Sequence, residues 1–177
     1  QWEKAAEMYQ NRIKADSTYP NGYINFALCK MALADFQPAT AALRKATALR
    51  PNYVAGYLYL GRALRGADSL RAARQAYETM ASLADSMKNN YKNELGEAYT
   101  FITFSYLVEK NNSQALGAVT KAIEFKPNDV ELNLWRAQIL HALDRREEAK
   151  AQYEKVMRID PKNADAKKGL DILQLYN

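Results

Sequence analysis

The stretch Pro51-Asn-Tyr-Val-Ala-Gly-Tyr-Leu-Tyr-Leu-Gly-Arg-Ala-Leu64 decides how this chain folds. Tyr57, Leu60, Gly61 and Leu64 are apolar or small at spacings of 3, 1 and 3, the intervals of one helical face. A proline stands just in front, where a helix stops or begins. Gly61 is the anomaly, because glycine inside a helix costs about 1 kcal/mol relative to alanine.

The surrounding sequence supplies the reason. Pro51 recurs as Pro127 and Pro161, and each follows an alanine at the same interval, Ala39, Ala115 and Ala149. Ala5 and Ala73 fall on the same grid, so that the numbering steps from alanine to alanine by 34, 34, 42 and 34. One unit therefore repeats, with a single insertion between Ala73 and Ala115 whose length is 42 − 34 = 8. Each unit reads as two helices. The first carries the Tyr57–Leu64 pattern; the second carries Ala73, Tyr77 and Met80, at spacings of 4 and 3. Between them lies a polar turn whose cap residues are read as Asp35, Asp68, Asn112 and Asp144. Asp144-Arg-Arg-Glu147 has the spacing of a capping box. The column of Gly61 also holds Ala27, Thr103 and Ala137, all modest in size. The matching of neighbouring columns disfavours the alternative that Gly61 merely loosens its helix; the family resemblance carried by the motif below implies that this is where one helix crosses its neighbour closely.

Tyr57-x2-Leu60-Gly61-x2-Leu64 followed by Ala73-x3-Tyr77 resembles the tetratricopeptide repeat, and the likeness extends over nearly the whole chain. The resemblance implies an all-α fold, an α-solenoid wound as a right-handed superhelix. It implies one domain over residues 1–177, with a partial repeat at 1–17 and four repeats at about 20–50, 52–84, 91–126 and 128–160. A capping helix at about 163–175 follows, with Leu170, Ile172, Leu173 and Leu175 on its apolar side. The insertion is expected to add about two turns to the start of a helix carrying Tyr91, Leu95, Ala98 and Ile102, similar to extended helices in bacterial proteins of this family. Several residues depart from the pattern. Arg12 stands in a column otherwise filled by Ala46, Met80, Ala122 and Val156, and Ser17 and Asp85 replace proline. Asn133 and Arg136 stand where the fourth repeat should be apolar; Leu132 and Trp135, beside them, would replace them if the register shifted by one.

Composition narrows the function. The net charge of +5, from 25 basic and 20 acidic residues, is mild and dispersed. Nucleic-acid binding is therefore not expected; it would favour basic residues gathered on one face or interleaved with aromatics. Cys29 is the only cysteine, which leaves no basis for a disulfide framework or a thiol metal cluster; His141 is the only histidine, so a histidine-based metal site or triad would have to use it. Cys29 reads as a small buried residue and His141 as a packing residue. Glu147 and Glu148 read as capping and solvated groups. No cofactor, metal or catalytic residue is expected. No apolar run reaches the roughly 20 residues that span a bilayer, so membrane insertion is not expected. The chain begins at Gln1 and is expected to be a fragment or processed form of a longer bacterial chain. Its compartment is open between the periplasm or cell envelope, which is favoured, and the cytoplasm.

By resemblance, the first helix of each pair lines a concave groove. The groove residues are then Ile24, Leu28, Tyr59, Arg62, Arg65, Phe101, Phe104, Trp135 and Gln138. The Lys and Asn clamp with which some family members hold a peptide carboxylate has no counterpart, since its columns contain Ile24, Leu28, Tyr59, Glu97 and Phe101. The expected function is a non-catalytic scaffold that binds a protein or peptide partner, with acidic groups of the partner facing Arg62 and Arg65. Self-association as a homodimer through an exposed terminal helix is the alternative.

Overall fold

The computed structural model describes residues 1–174; Leu175, expected on the capping helix, lies outside the described residues. Ten α-helices and no strand occur among the described residues: α1 (Trp2–Ala15), α2 (Pro20–Ala32), α3 (Phe36–Leu49), α4 (Val54–Gly66), α5 (Leu70–Ala84), α6 (Lys92–Val108), α7 (Asn112–Phe125), α8 (Val130–Ala142), α9 (Arg146–Ile159) and α10 (Ala164–Gln174). The fold is all-α, built from antiparallel helical hairpins: α2 with α3, α4 with α5, α6 with α7, and α8 with α9. Two compact units divide the chain, Gln1–Lys88 with α1 to α5, and Asn89–Asn177, which holds α6 to α10.

Within each hairpin the turn has the same chemistry. Ala34, Asp68, Lys110 and Asp144 have φ of 55°, 54°, 56° and 57° and fall on the repeat grid. Each closes the preceding helix in the left-handed conformation, and the next residue donates back to a carbonyl of that helix. Asp35 N–H donates to Lys30 O at 2.9 Å, Ser69 to Leu64 at 2.9 Å, Asn111 to Tyr106 at 2.9 Å and Arg145 to Leu140 at 3.0 Å. This is the paired-bond C-terminus that satisfies a helix's last carbonyls. It also corrects the expected caps. Asp68 and Asp144 are the left-handed residues, a conformation aspartate tolerates, and Asn112 is already helical. The caps are Asp35, Ser69, Asn111 and Arg145. Asn111 caps through its side chain, accepting from Gln114 N–H at 3.2 Å. The Asp144–Glu147 capping box does not form; Arg145 binds Glu148 instead, at 2.7 Å.

The hairpin cores confirm the small column. Ala27, Thr103 and Ala137 are fully buried and Gly61 is buried. A Cβ on Gly61 would sit 3.0 Å from three ring carbons of Tyr77, and that ring is itself fully buried. In the second unit, Ala137, Leu140, Ala149, Tyr153 and Val156 form one cluster with Ala166 and Leu173 of α10. Gly169 lets α10 lie directly on the Tyr153 ring. Leu173 is buried and Leu170 and Ile172 half-buried, while Asp165, Lys167, Lys168 and Asp171 face outward. At the other end, the Arg12 side chain is not buried in its column; its guanidinium lies 5.2 Å from the centre of the Tyr19 ring.

Two regions differ from expectation. The insertion adds one turn, not two: α6 has 17 residues and α4 has 13, a difference of 4. The rest forms the 3-10 segment Asp85–Asn90, which breaks at Met87 (φ −124°, ψ 27°). All six of these residues are exposed. Ser, Asp and Asn bond locally to the backbone in competition with helix, and no apolar face here opposes them. In the fourth hairpin the register does not shift. Asn133 stays at its grid position and is fully buried. Its Nδ2 donates to Pro127 O at 3.0 Å and Asp129 O at 2.7 Å, and its Oδ1 accepts from Gln152 Nε2 at 2.8 Å. A Tyr/Ala pair at these positions in the other hairpins (Tyr57 with Ala76, Tyr99 with Ala118) is thus replaced by an Asn/Gln pair.

Gly61→Ala should destabilise the fold by about 1–2 kcal/mol despite its better helix propensity, because the added methyl meets a fully buried ring. In the Gly61→Ala/Tyr77→Leu double variant, which reproduces the Ala27/Leu43 pair of the first hairpin, the combined loss should be clearly less than the sum of the single losses. Urea denaturation of the four proteins measures this coupling, and strict additivity would contradict the close crossing. Ala34→Gly should stabilise by about 0.5–1 kcal/mol, since it removes a Cβ from a left-handed position; unchanged or lower stability in the same assay would contradict that.

Candidate functional site

In the first unit, the first helices α2 and α4 frame an open pocket of about 270 Å3. Its lining is Tyr19, Asn21, Ile24, Asn25 and Leu28 from the α2 side, with Tyr53 and Tyr59 from the α4 side. Asn21, Ile24, Asn25 and Leu28 recur at helical intervals, which puts them on one face. Ile24 is buried and forms the floor; Leu28 and Tyr59 are half-buried. Tyr19 and Tyr53 occupy the N-cap positions of α2 and α4, one repeat apart. Each ring is backed by an arginine from the preceding helix or its end, Arg12 at 5.2 Å from the Tyr19 centroid and Arg50 at 5.0 Å from that of Tyr53. Such cation–π contacts hold rings in place while leaving their other face open. Neither the Asn21 nor the Asn25 side-chain amide has a hydrogen bond among the described residues.

The predicted groove residues are therefore distributed as follows. Ile24, Leu28 and Tyr59 share this pocket. Arg62 and Arg65 lie further along α4, half-buried and exposed respectively, and do not line it; both interact within the protein. In the second unit, Phe101 is buried at 6% exposure while Phe104, one turn on, is 42% exposed. Their rings lie 6.3 Å apart at 49°, so Phe101 supports Phe104 from below. Trp135 is half-buried against Ala115, Val119, Ala122, Leu132 and Ile139. Gln138 is exposed. Tyr19, Asn21, Asn25 and Tyr53 line the pocket although they are absent from the predicted set. A sequence signal exists for three of them: Asn25 shares the column of Tyr59, Phe101 and Trp135, and Tyr19 and Tyr53 occupy one column in successive repeats.

The other singled-out residues have packing partners. His141 meets Tyr153 edge to face, with ring centres 6.3 Å apart. Cys29 is 3% exposed, and burial pushes its thiol pKa up. Among the described residues, no group of three or more His, Cys, Asp or Glu side chains could hold a metal ion. No helix there is long and apolar enough to cross a membrane.

Two family profiles, each described as tetratricopeptide repeat, match residues 20–53 and 106–171. The chain belongs to the tetratricopeptide repeat family. Among solved structures, it is similar to YrrB, described as a TPR protein with an unusual peptide-binding site. That match has a TM-score of 0.76 and 22% identity and covers 97% of this chain and 84% of YrrB. It is also similar to MamA, with a TM-score of 0.72 and 21% identity over 91% of this chain and 90% of the other. A MamA structure from Desulfovibrio magneticus RS-1 aligns with a TM-score of 0.69 and 18% identity, covering 92% and 88%. At these identities the likeness is one of fold. No curated protein matches in sequence.

The burial of Cys29 sets its chemistry. A thiol-specific reagent at pH 8 should modify it at least about a hundredfold more slowly in the folded protein than in denaturant, since attack requires an exposed thiolate. Equal rates would place Cys29 at the surface and contradict the packing described here.

Proposed function

We propose that the chain is a non-catalytic scaffold and that the pocket between α2 and α4 receives an extended segment of a protein partner. The observation that carries this reading is the pairing of two uncommitted amides, Asn21 and Asn25, with three tyrosines around an apolar floor. A primary amide offers both a donor and an acceptor, which suits the alternating N–H and C=O groups of an extended peptide. Tyrosine rings add large, stiff contact area with a polar tip. The membership of the family and the likeness of fold to YrrB, a peptide-binding TPR protein by its description, support the same class of function. In the second unit, taken by itself, Phe104 on α6 and Trp135 and Gln138 on α8 are further candidate contacts for a partner.

A peptide library selected on the purified protein tests this. Enriched peptides should bind the native chain, and an Asn25→Ala/Tyr59→Ala variant with unchanged circular dichroism should bind them at least about tenfold more weakly. Equal affinity for both proteins, or no enrichment, would remove the pocket from the proposal.

A second reading has its own observation. Trp2 and Met8 are 54% and 59% exposed on α1, a helix whose one buried residue among those described is Ala6. Exposed apolar side chains on a terminal helix suit self-association between copies. Sedimentation velocity over a concentration series should then show a dimer that Trp2→Ala/Met8→Ala abolishes; a monomer throughout would eliminate this reading.

A further inference from the structure

The third and fourth hairpins differ at four positions that lie together. Tyr99, Ile102, Ala118 and Glu124 of the third correspond, one repeat on, to Asn133, Arg136, Gln152 and Arg158 of the fourth. A lysine is common to both, Lys121 and Lys155. In the third hairpin that lysine is accommodated: Lys121 Nζ lies 5.2 Å from the Tyr99 ring centre and donates to its hydroxyl at 3.4 Å. In the fourth the aromatic platform is gone, and two further cations have been added.

These cations stand on a built support. Gln152 is buried and bonded to Asn133, and its Oε1 accepts from Arg136 Nη1 at 3.1 Å. The bridge holds the Arg136 guanidinium against Gln152, and Lys155 lies one helical turn beyond Gln152 on α9. Arg158 follows after a further turn. Burial first, then the Arg136 and Arg158 charges, hold the Lys155 ammonium below the ordinary lysine range. Glu148 feels the Arg136 charge, but among the described residues no acid forms an ion pair with the cluster. Arg136 bonds there only to Gln152, and Lys155 and Arg158 have no ion pair. Glu148 is itself held by one edge of the Arg145 guanidinium, whose Nε and Nη2 donate to its two carboxylate oxygens at 2.7 Å each. Arg136 Nε is buried with no acceptor. Gathering like charges is unfavourable for folding, and an anion bound beside them would offset that cost.

We propose that the fourth hairpin carries an oxyanion site, formed by Arg136, Lys155 and Arg158 on the Asn133–Gln152 bridge, that binds a phosphate group. Three cations favour a dianion over a single carboxylate, and the arginine fork matches phosphate oxygens. The site is separate from the α2–α4 pocket and does not rest on the peptide reading. Its ligand is either free phosphate or a phosphoryl group carried on a partner's side chain.

Calorimetric titration of the whole chain at fixed ionic strength, with chloride as the balancing ion, distinguishes these. The probes are inorganic phosphate, a phosphoserine peptide and the same peptide unphosphorylated. Saturable binding of a phosphate-bearing probe is expected, weakened at least about tenfold by Arg158→Glu, which restores the acid of the third hairpin. It should be lost in Asn133→Tyr/Arg136→Ile/Gln152→Ala, which restores that hairpin's apolar pairing. Inorganic phosphate binding as tightly as the phosphopeptide identifies a free-phosphate site. Tighter phosphopeptide binding, with none to the unphosphorylated form, identifies a partner-borne group. If the triple variant does not fold, Arg158→Glu and Lys155→Gln decide. No saturable binding of either phosphate probe, or undiminished affinity in the surface variants, overturns the proposal.

Discussion

Each hairpin depends on one close crossing between its two helices. A helix pair buries most apolar area when the axes approach, and the approach is limited by the largest side chain at the crossing point. Here that point is occupied by Ala27, Gly61, Thr103 and Ala137, all buried, with Leu43, Tyr77, Val119 and Tyr153 at the opposing column. The smallest of the four, Gly61, stands against a tyrosine whose ring it touches. The helix propensity lost at Gly61 is offset by the packing of that ring. The left-handed turn residue then directs the second helix back over the first. Because the two constraints are both local, the same hairpin can be made repeatedly from different surface sequences.

This is why so much of the architecture is legible in the sequence. The alanine grid and the small column report packing that must be satisfied in every hairpin, so they recur at fixed intervals. The turns are less legible. Asp68 and Asp144 look like helix caps, and only the backbone shows that they occupy the left-handed position one residue earlier. The insertion misleads about helix length because Tyr91, Leu95 and Ala98 do continue a helical face, while nothing apolar holds Asp85–Asn90 to it. The fourth hairpin is ambiguous for a different reason. Asn133 and Gln152 exchange the large and small partners of a Tyr/Ala pair for two amides of intermediate size, and they bond to one another. A single-column reading sees only a polar residue in a core position; the compensation lies across the hairpin.

The candidate site is partly legible for a related reason. Residues facing a partner are not constrained by the hairpin's own packing, so their columns vary freely. Ile24, Leu28 and Tyr59 stand out because they are apolar or aromatic on the first-helix face. Asn21 and Asn25 do not, because an asparagine on a helix surface usually needs no explanation. Their significance comes from the tyrosines that surround them. Phe101 illustrates the converse, since its column suggests a surface aromatic but it is buried beneath Phe104. Arg12 and Arg50 join the site from behind, each against a ring of the pocket.

The central functional claim is that the α2–α4 pocket contacts the partner. Backbone amide NMR of the uniformly labelled chain, titrated with a selected peptide, tests it most directly. Saturable shifts are expected to concentrate at residues 19–28 and 53–59, with the amide side-chain signals of Asn21 and Asn25 among those that move. Saturable shifts confined to α1, to the second-helix surfaces or to the second unit would contradict it.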